Sequence, residues 1–147
     1  MTGGADSVTN EANSVVKANR VAPDIRERTV SYAVRAIELY RFVQRGRDGA
    51  GKVIGKQYLR AAISIGENVE EAHGGESRAD FVHKFGIAQK EAHECAYWLR
   101  LMEDAKVVPP ARLAAIRRET EEIYAVLTAI IVKAKRNAKN QGQDAAG

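Results

Sequence analysis

Residues 77–106 read SRADFVHKFGIAQKEAHECAYWLRLMEDAK. Within this stretch Phe81, Phe85, Ala88, Ala92, Cys95, Leu99 and Met102 recur in steps of four and three. That step sets them on one stripe of an α-helix. Ser77, with Asp80 three residues on, gives a capping-box-like start in which the shorter Asp replaces the usual Glu. The helix is predicted to reach about Lys106. Pro109-Pro110 then closes the connection and opens the next helix, whose first turn tolerates proline.

The same pattern extends outward in both directions. Downstream, Leu113, Ile116, Thr120, Ile123, Leu127, Ile130 and Ala134 predict a helix to about Arg136. Upstream, Ile54, Tyr58, Ala61, Ile65, Asn68 and Ala72 predict one over Lys52–His73, stopped by Gly74-Gly75 in the left-handed conformation that glycine readily supplies. A further helix is predicted over Asp24–Arg45, with a seam of Val30, Ala33, Ile37 and Tyr40 and a turn from Gly46 to Gly51. All three connections are short, so sequence neighbours should pack antiparallel. The expected fold is all-α: an antiparallel up-down-up-down four-helix bundle over residues 23–137. Residues 1–22 and 138–147 are polar and are expected to be disordered tails. Gly66 and Gly86 are expected to face each other across the second hairpin and let two backbones approach.

The 147 residues suit one core, and an apolar share of 45% can fill it without disulfide or metal. Cys95 is the only cysteine, so no intramolecular disulfide forms, and a cytoplasmic location is expected. No apolar run approaches the roughly 18–20 residues of a membrane helix, and no membrane partner is expected. Tyr97, Trp98, Val107 and Val108, with Tyr124, Val126, Ile131 and Val132, exceed what one seam needs. That surplus points to self-association.

The net charge of +4 is unevenly spread. Arg41, Arg45, Arg47, Lys52, Lys56 and Arg60 surround the first turn, opposed locally by Asp48. They are the candidate contact for RNA, DNA or an acidic protein partner. Glu67, Glu70, Glu71, Glu76 and Asp80 make the second turn acidic. Both placements oppose the helix dipole of the second helix. Ion pairs from the acidic end to Arg26, Arg28, Lys133, Lys135 and Arg136 are expected to offset it.

Catalytic constellations are not found. Glu70 with His73, and Asp80 with His83, have the i, i+3 spacing of di-metal bundles, but the first and fourth helices place no carboxylate on their seams. No phosphate-binding glycine loop or nucleophile–base set is present. The reading is a non-enzymatic, homo-oligomeric interaction module without cofactor or metal. The alternatives are a protein-binding scaffold with no nucleic-acid role and, remotely, a di-metal carboxylate enzyme.

The stretch Ser64-Ile65-Gly66-Glu67-Asn68-Val69-Glu70-Glu71-Ala72, then Ser77-Arg78-Ala79-Asp80-Phe81, Ile87-Ala88, Glu94 and Tyr97-Trp98-Leu99, resembles the bacterial four helix bundle protein family. That family includes proteins encoded by intervening sequences within large-subunit ribosomal RNA genes. It is similar in fold to accessory proteins of diversity-generating retroelements. The likeness covers about residues 26–135. Ala72 and Glu91 depart from it, standing where many relatives are expected to have Gly and Ser. The resemblance implies a homopentamer with a central channel and no enzymatic activity. For the retroelement relatives it implies nucleic-acid binding through a basic surface. By position it marks Asn68, Glu71, Ser77, Asp80, Phe81 and Glu94 as structural residues holding the second hairpin and its helices.

Overall fold

The computed structural model describes residues 24–146. The tail expected over residues 1–22 lies outside the described residues. Four helices follow one another: α1 (Ile25–Gln44), α2 (Gly49–His73), α3 (Arg78–Asp104) and α4 (Pro110–Ala146). Each packs on its neighbours in sequence, and α1 meets α4 to close the bundle; the diagonal pairs bring no Cα atoms within 8 Å of each other. The architecture is the expected all-helical four-helix bundle, with no strand among the described residues.

Local chemistry sets the ends. The Asp24 carboxylate caps α1 by accepting from the Arg26 N–H at 3.1 Å. Asp48 accepts from the Gly51 N–H at 3.2 Å, so α2 begins at Gly49, and the expected turn is shorter than its glycines suggest. Ser77 Oγ accepts from the Asp80 N–H at 3.1 Å and starts α3. Gly74 does not adopt the left-handed conformation expected of it (φ −90°). At Gly75 the need is space, because a Cβ would fall 2.5 Å from the Asp80 carboxylate. The left-handed residue is Lys106 (φ 58°), after α3. There Val107 N–H donates to Met102 O (2.8 Å) and Lys106 N–H to Glu103 O (3.1 Å), a Schellman closure.

The core confirms most of the seams of α2, α3 and α4, with Val69 buried beside half-buried Asn68 and Ile131 beside half-buried Ile130, and corrects that of α1. Phe85, Ala88, Ala92, Cys95, Leu99 and Met102 are buried, as are Leu113, Ile116, Thr120, Ile123 and Leu127. In α1 the buried stripe is Ile25, Thr29, Tyr32, Ala36, Leu39 and Val43, whereas Val30 is 56% exposed. The two candidate stripes have the same period and lie side by side. The buried one carries Ile25, Leu39 and Val43, and its two hydroxyl side chains find hydrogen-bond partners. Thr29 Oγ1 donates to Arg26 O at 3.0 Å. Tyr58 Oη donates to Tyr32 Oη (3.0 Å), Tyr32 Oη lies 2.7 Å from Thr120 Oγ1, and Thr120 Oγ1 donates to Ile116 O (2.7 Å). This buried chain ties α1, α2 and α4 together. A Cβ at Gly66 would stand 3.4 Å from Thr29 of α1, and one at Gly86 would meet nothing within 4 Å, so the two glycines do not face each other.

Residues expected to form a disordered tail from 138 onward are helical to Ala146. Lys133–Ala146 is rich in Ala, Lys, Arg and Gln, which favour helix, and has no proline to stop it. Arg78 Nη1 donates to Gln141 Oε1 at 3.0 Å and ties this extension to the start of α3.

Candidate functional site

An up-down-up-down order brings the end of α1, the start of α2, the end of α3 and the start of α4 to one end of the bundle. Two glycines tighten it. A Cβ at Gly55 would stand 3.2 Å from Val43 of α1, and one at Gly51 would stand 2.8 Å from Val107 of the last connection. The first turns of α2 therefore lie close against both neighbouring segments.

Arg41 occupies the last turn of α1, Arg45 its C-cap, Arg47 the turn, and Lys52 and Lys56 the first two turns of α2. Arg41, Arg45, Arg47 and Lys56 are exposed and Lys52 is half-buried. Among the described residues, none of the five has a carboxylate within 4 Å. Of the nearby acids, Glu38 forms no ion pair among the described residues and three are occupied elsewhere. Asp48 caps α2, Glu103 pairs with Arg117, and Asp104 pairs with Arg100 at 3.5 Å. Arg60 differs from the rest of the predicted set, since it faces α3 and pairs with Glu94 (3.5 Å) and Glu91 (3.8 Å).

Two cations that the sequence argument did not include join this end. Lys106 is exposed in its left-handed turn. Arg112 lies 4.1 Å over the Phe42 ring. Between α1 and α4 a groove is lined by Arg35, Glu38, Leu39, Phe42, Arg112 and Ile116. The signal for both cations was the topology, which puts the third connection beside the first.

At the opposite end several charges pair across helices, while Glu67 and Glu76 form no ion pair among the described residues. Arg26 holds Glu70 through two hydrogen bonds of 3.1 and 2.8 Å, keeping its carboxyl below the usual range. Lys84 pairs with Glu71 at 2.6 Å. Arg28 does not reach the acidic turn. It holds Glu119 (2.9 Å) and Glu122 (2.5 Å) of α4, and that hydrogen bonding lowers the Glu119 pKa. Lys133, Lys135 and Arg136 make none of the expected pairs.

The family-marked residues make local and cross-helix contacts. Asn68 donates to Ser64 O at 2.8 Å, and Phe81 stacks on Phe85 with centroids 4.4 Å apart. Glu71 and Glu94 make the cross-helix pairs above; Ser77 caps α3, and Asp80 packs at Gly75.

Reactive chemistry is sparse. Burial pushes the Cys95 thiol up to about 12, which leaves it protonated and unreactive. Glu91 is pushed up to about 7, first by burial and then by Glu94 beside it. Its Oε2 is buried without a hydrogen-bond partner. No group of three His, Cys, Asp or Glu among the described residues could hold a metal ion. No helix among them is long and apolar enough to cross a membrane.

Fold and surface thus define a helical bundle with a charged rim at each end. The sequence matches the family of 23S rRNA-intervening sequence proteins over residues 24–129, and the chain belongs to that family. A crystal structure of a protein with unknown function from the S23 ribosomal protein family of Bacteroides thetaiotaomicron VPI-5482 is similar to it. The two chains are 36% identical and superpose with a TM-score of 0.67, over 74% of this chain and 98% of that one. None of the curated proteins matches the chain.

Proposed function

We propose that the protein is a non-enzymatic, homo-oligomeric interaction module that binds nucleic acid through its basic end. The observation that carries this reading is the set Arg41, Arg45, Arg47, Lys52 and Lys56, grouped around the first turn with no carboxylate within 4 Å among the described residues. Phosphate backbones favour such a set because each contact releases condensed counterions. Lys106 supports it, since a charged side chain is kept at a left-handed position that glycine fills without strain. The family's name is also consistent with ribosomal RNA as a ligand, although it describes where the genes lie.

The proposed assembly is a homopentamer, as the resemblance implies, acting in the cytoplasm. Part of the surplus apolar surface is absorbed by the bundle itself, with Val108 and Ile131 buried. Val53, Ile63, Tyr97, Tyr124 and Val132 stay exposed and support self-association.

A second reading, an acidic protein partner, is favoured by the α1–α4 groove, where Leu39, Phe42 and Ile116 lie beside Arg35 and Arg112. The test replaces Arg45, Arg47, Lys52 and Lys56 by Gln and measures RNA and DNA affinity across salt. Affinity should fall, and the log–log salt slope should flatten by roughly 3 for four lost phosphate contacts. Unchanged affinity and slope in that variant remove the nucleic-acid reading.

A further inference from the structure

We infer that the groove between α1 and α4 holds one unpaired base of a single-stranded nucleic acid, and that Glu38 makes guanine the preferred base. This rests on the nucleic-acid reading of the basic end and names the class of strand which that end takes.

One wall of the groove is a row along α1. Arg35, Glu38, Phe42 and Arg45 step by three, four and three, so they share one face of the helix. Arg45, the C-cap of α1, belongs to the basic set at the first turn, and Phe42, Glu38 and Arg35 line the groove below it. Over about 15 Å of helix a cation suited to phosphate is thus followed by an aromatic ring, a carboxylate and a second cation.

The other wall comes from α4. The Arg112 guanidinium lies 4.1 Å over the Phe42 ring. Arg112 is exposed and Phe42 half-buried beneath it. A base laid on the guanidinium would extend a stack that is already built. Leu39 and Ile116, both buried, form the floor. The groove has a volume of about 210 Å³. That is below the ~300–1,000 Å³ of sites for drug-sized molecules and suits a single flat ring system. In a duplex the bases are stacked and paired with each other, so the strand that fills the groove is single.

Glu38 separates this occupant from an acidic protein. It is exposed and forms no ion pair among the described residues. An acidic side chain entering between Arg35 and Arg112 would meet Glu38 as a like charge. A base gives the same carboxylate a task. Its two oxygens are both acceptors. Guanine alone among the common bases presents two neighbouring N–H donors, N1–H and N2–H, on its Watson–Crick edge, whereas adenine, cytosine and uracil each present one donor group there.

The test is fluorescence anisotropy of the full chain with four labelled probes of equal length. They are a uracil strand with one central guanine, the same strand with inosine in its place, an all-uracil strand, and the duplex of the guanine strand. The guanine strand should bind about fivefold or more tighter than the other three. Glu38→Gln, which turns one acceptor into a donor, should bring guanine and inosine to within about twofold of each other. Arg112→Lys keeps the charge but loses the flat guanidinium. It should weaken the guanine strand about fivefold with the salt slope unchanged. Both positions are exposed, and circular dichroism checks that each variant keeps its helicity.

Equal affinity for all four probes, lost when Arg45, Arg47, Lys52 and Lys56 become Gln, overturns the base site and leaves the basic end as a backbone contact. Preference for guanine that survives both Glu38→Gln and Arg112→Lys puts the base elsewhere and overturns the inference. No binding of any probe overturns the nucleic-acid reading itself. An oligoglutamate peptide that binds more tightly than any strand, and is weakened by Arg112→Gln, assigns the groove to an acidic partner and overturns the inference too.

Discussion

The two ends of the bundle carry charges of opposite sign on the same helix, and they handle them differently. At the α2–α3 turn, Glu70 and Glu71 are held by Arg26 and Lys84 from neighbouring helices, so acids at the C-terminus of α2 meet cations nearby. At the α1–α2 turn, Lys52 and Lys56 oppose the positive N-terminal dipole of α2 with no carboxylate beside them, and Asp48 is occupied in capping. The comparison teaches that an unfavourable charge placement has two explanations, an internal partner or an external one. Only side-chain geometry separates them.

The largest expected effect comes from removing a cross-helix pair away from the basic end. Arg28→Ala leaves Glu119 half-buried without its guanidinium, and should destabilise the chain by about 2 kcal/mol in urea unfolding. Arg28 holds the Glu119 pKa below the ordinary value of 4.5, so this contribution is present above that value. It should fade as pH falls through the lower folded value. An effect smaller than that of an ordinary surface substitution would mean that the pair does not help hold α1 on α4.

Between the ends, Glu91 behaves in the opposite sense. Its folded pKa of about 7 lies above the ordinary 4.5, so the folded chain holds a proton that the unfolded chain has lost. Stability from this group is therefore full below about 4.5 and lost as pH rises through about 7. Glu91→Gln should gain about 1 kcal/mol relative to the unaltered chain between pH 5 and pH 8, a figure discounted for partial exposure. A gain that does not change with pH would show that Glu91 does not titrate in this window.

At the basic end the expected stability effects are smaller and run against function. Lys106→Gly should stabilise by about 1 kcal/mol by relieving the left-handed backbone, while weakening nucleic-acid binding. Neutralising Arg45, Arg47, Lys52 and Lys56 should change stability by no more than about 0.5 kcal/mol. A large loss there would show that these cations hold the fold, and the contrast between the ends would fail.

Much of the fold was legible because periodicity and stop signals agreed. The α3 stripe from Phe81 to Met102, the capping Ser77 and the Pro109-Pro110 break each pointed to the same element. The α1 seam was not legible from apolar pattern alone. Val30 and Ile37 look more apolar than Thr29 and Tyr32, yet Thr29 and Tyr32 share the row of Ile25, Leu39 and Val43 and are buried with hydrogen-bond partners. The C-terminal helix was hidden because alanine, lysine and glutamine suit either a tail or a helix. At the basic end the turn residues could be read from sequence. Arg60 was misplaced because i, i+4 spacing shows which residues share a face and not which neighbour that face meets.

The most direct test is solution mass by light scattering, with generic RNA and DNA added at low and at high salt. The account predicts an oligomer, most simply five copies, that takes up nucleic acid at low salt and releases it at high salt. An oligomer indifferent to nucleic acid at both salts would contradict the role given to the basic end, and a monomer would contradict the assembly as well.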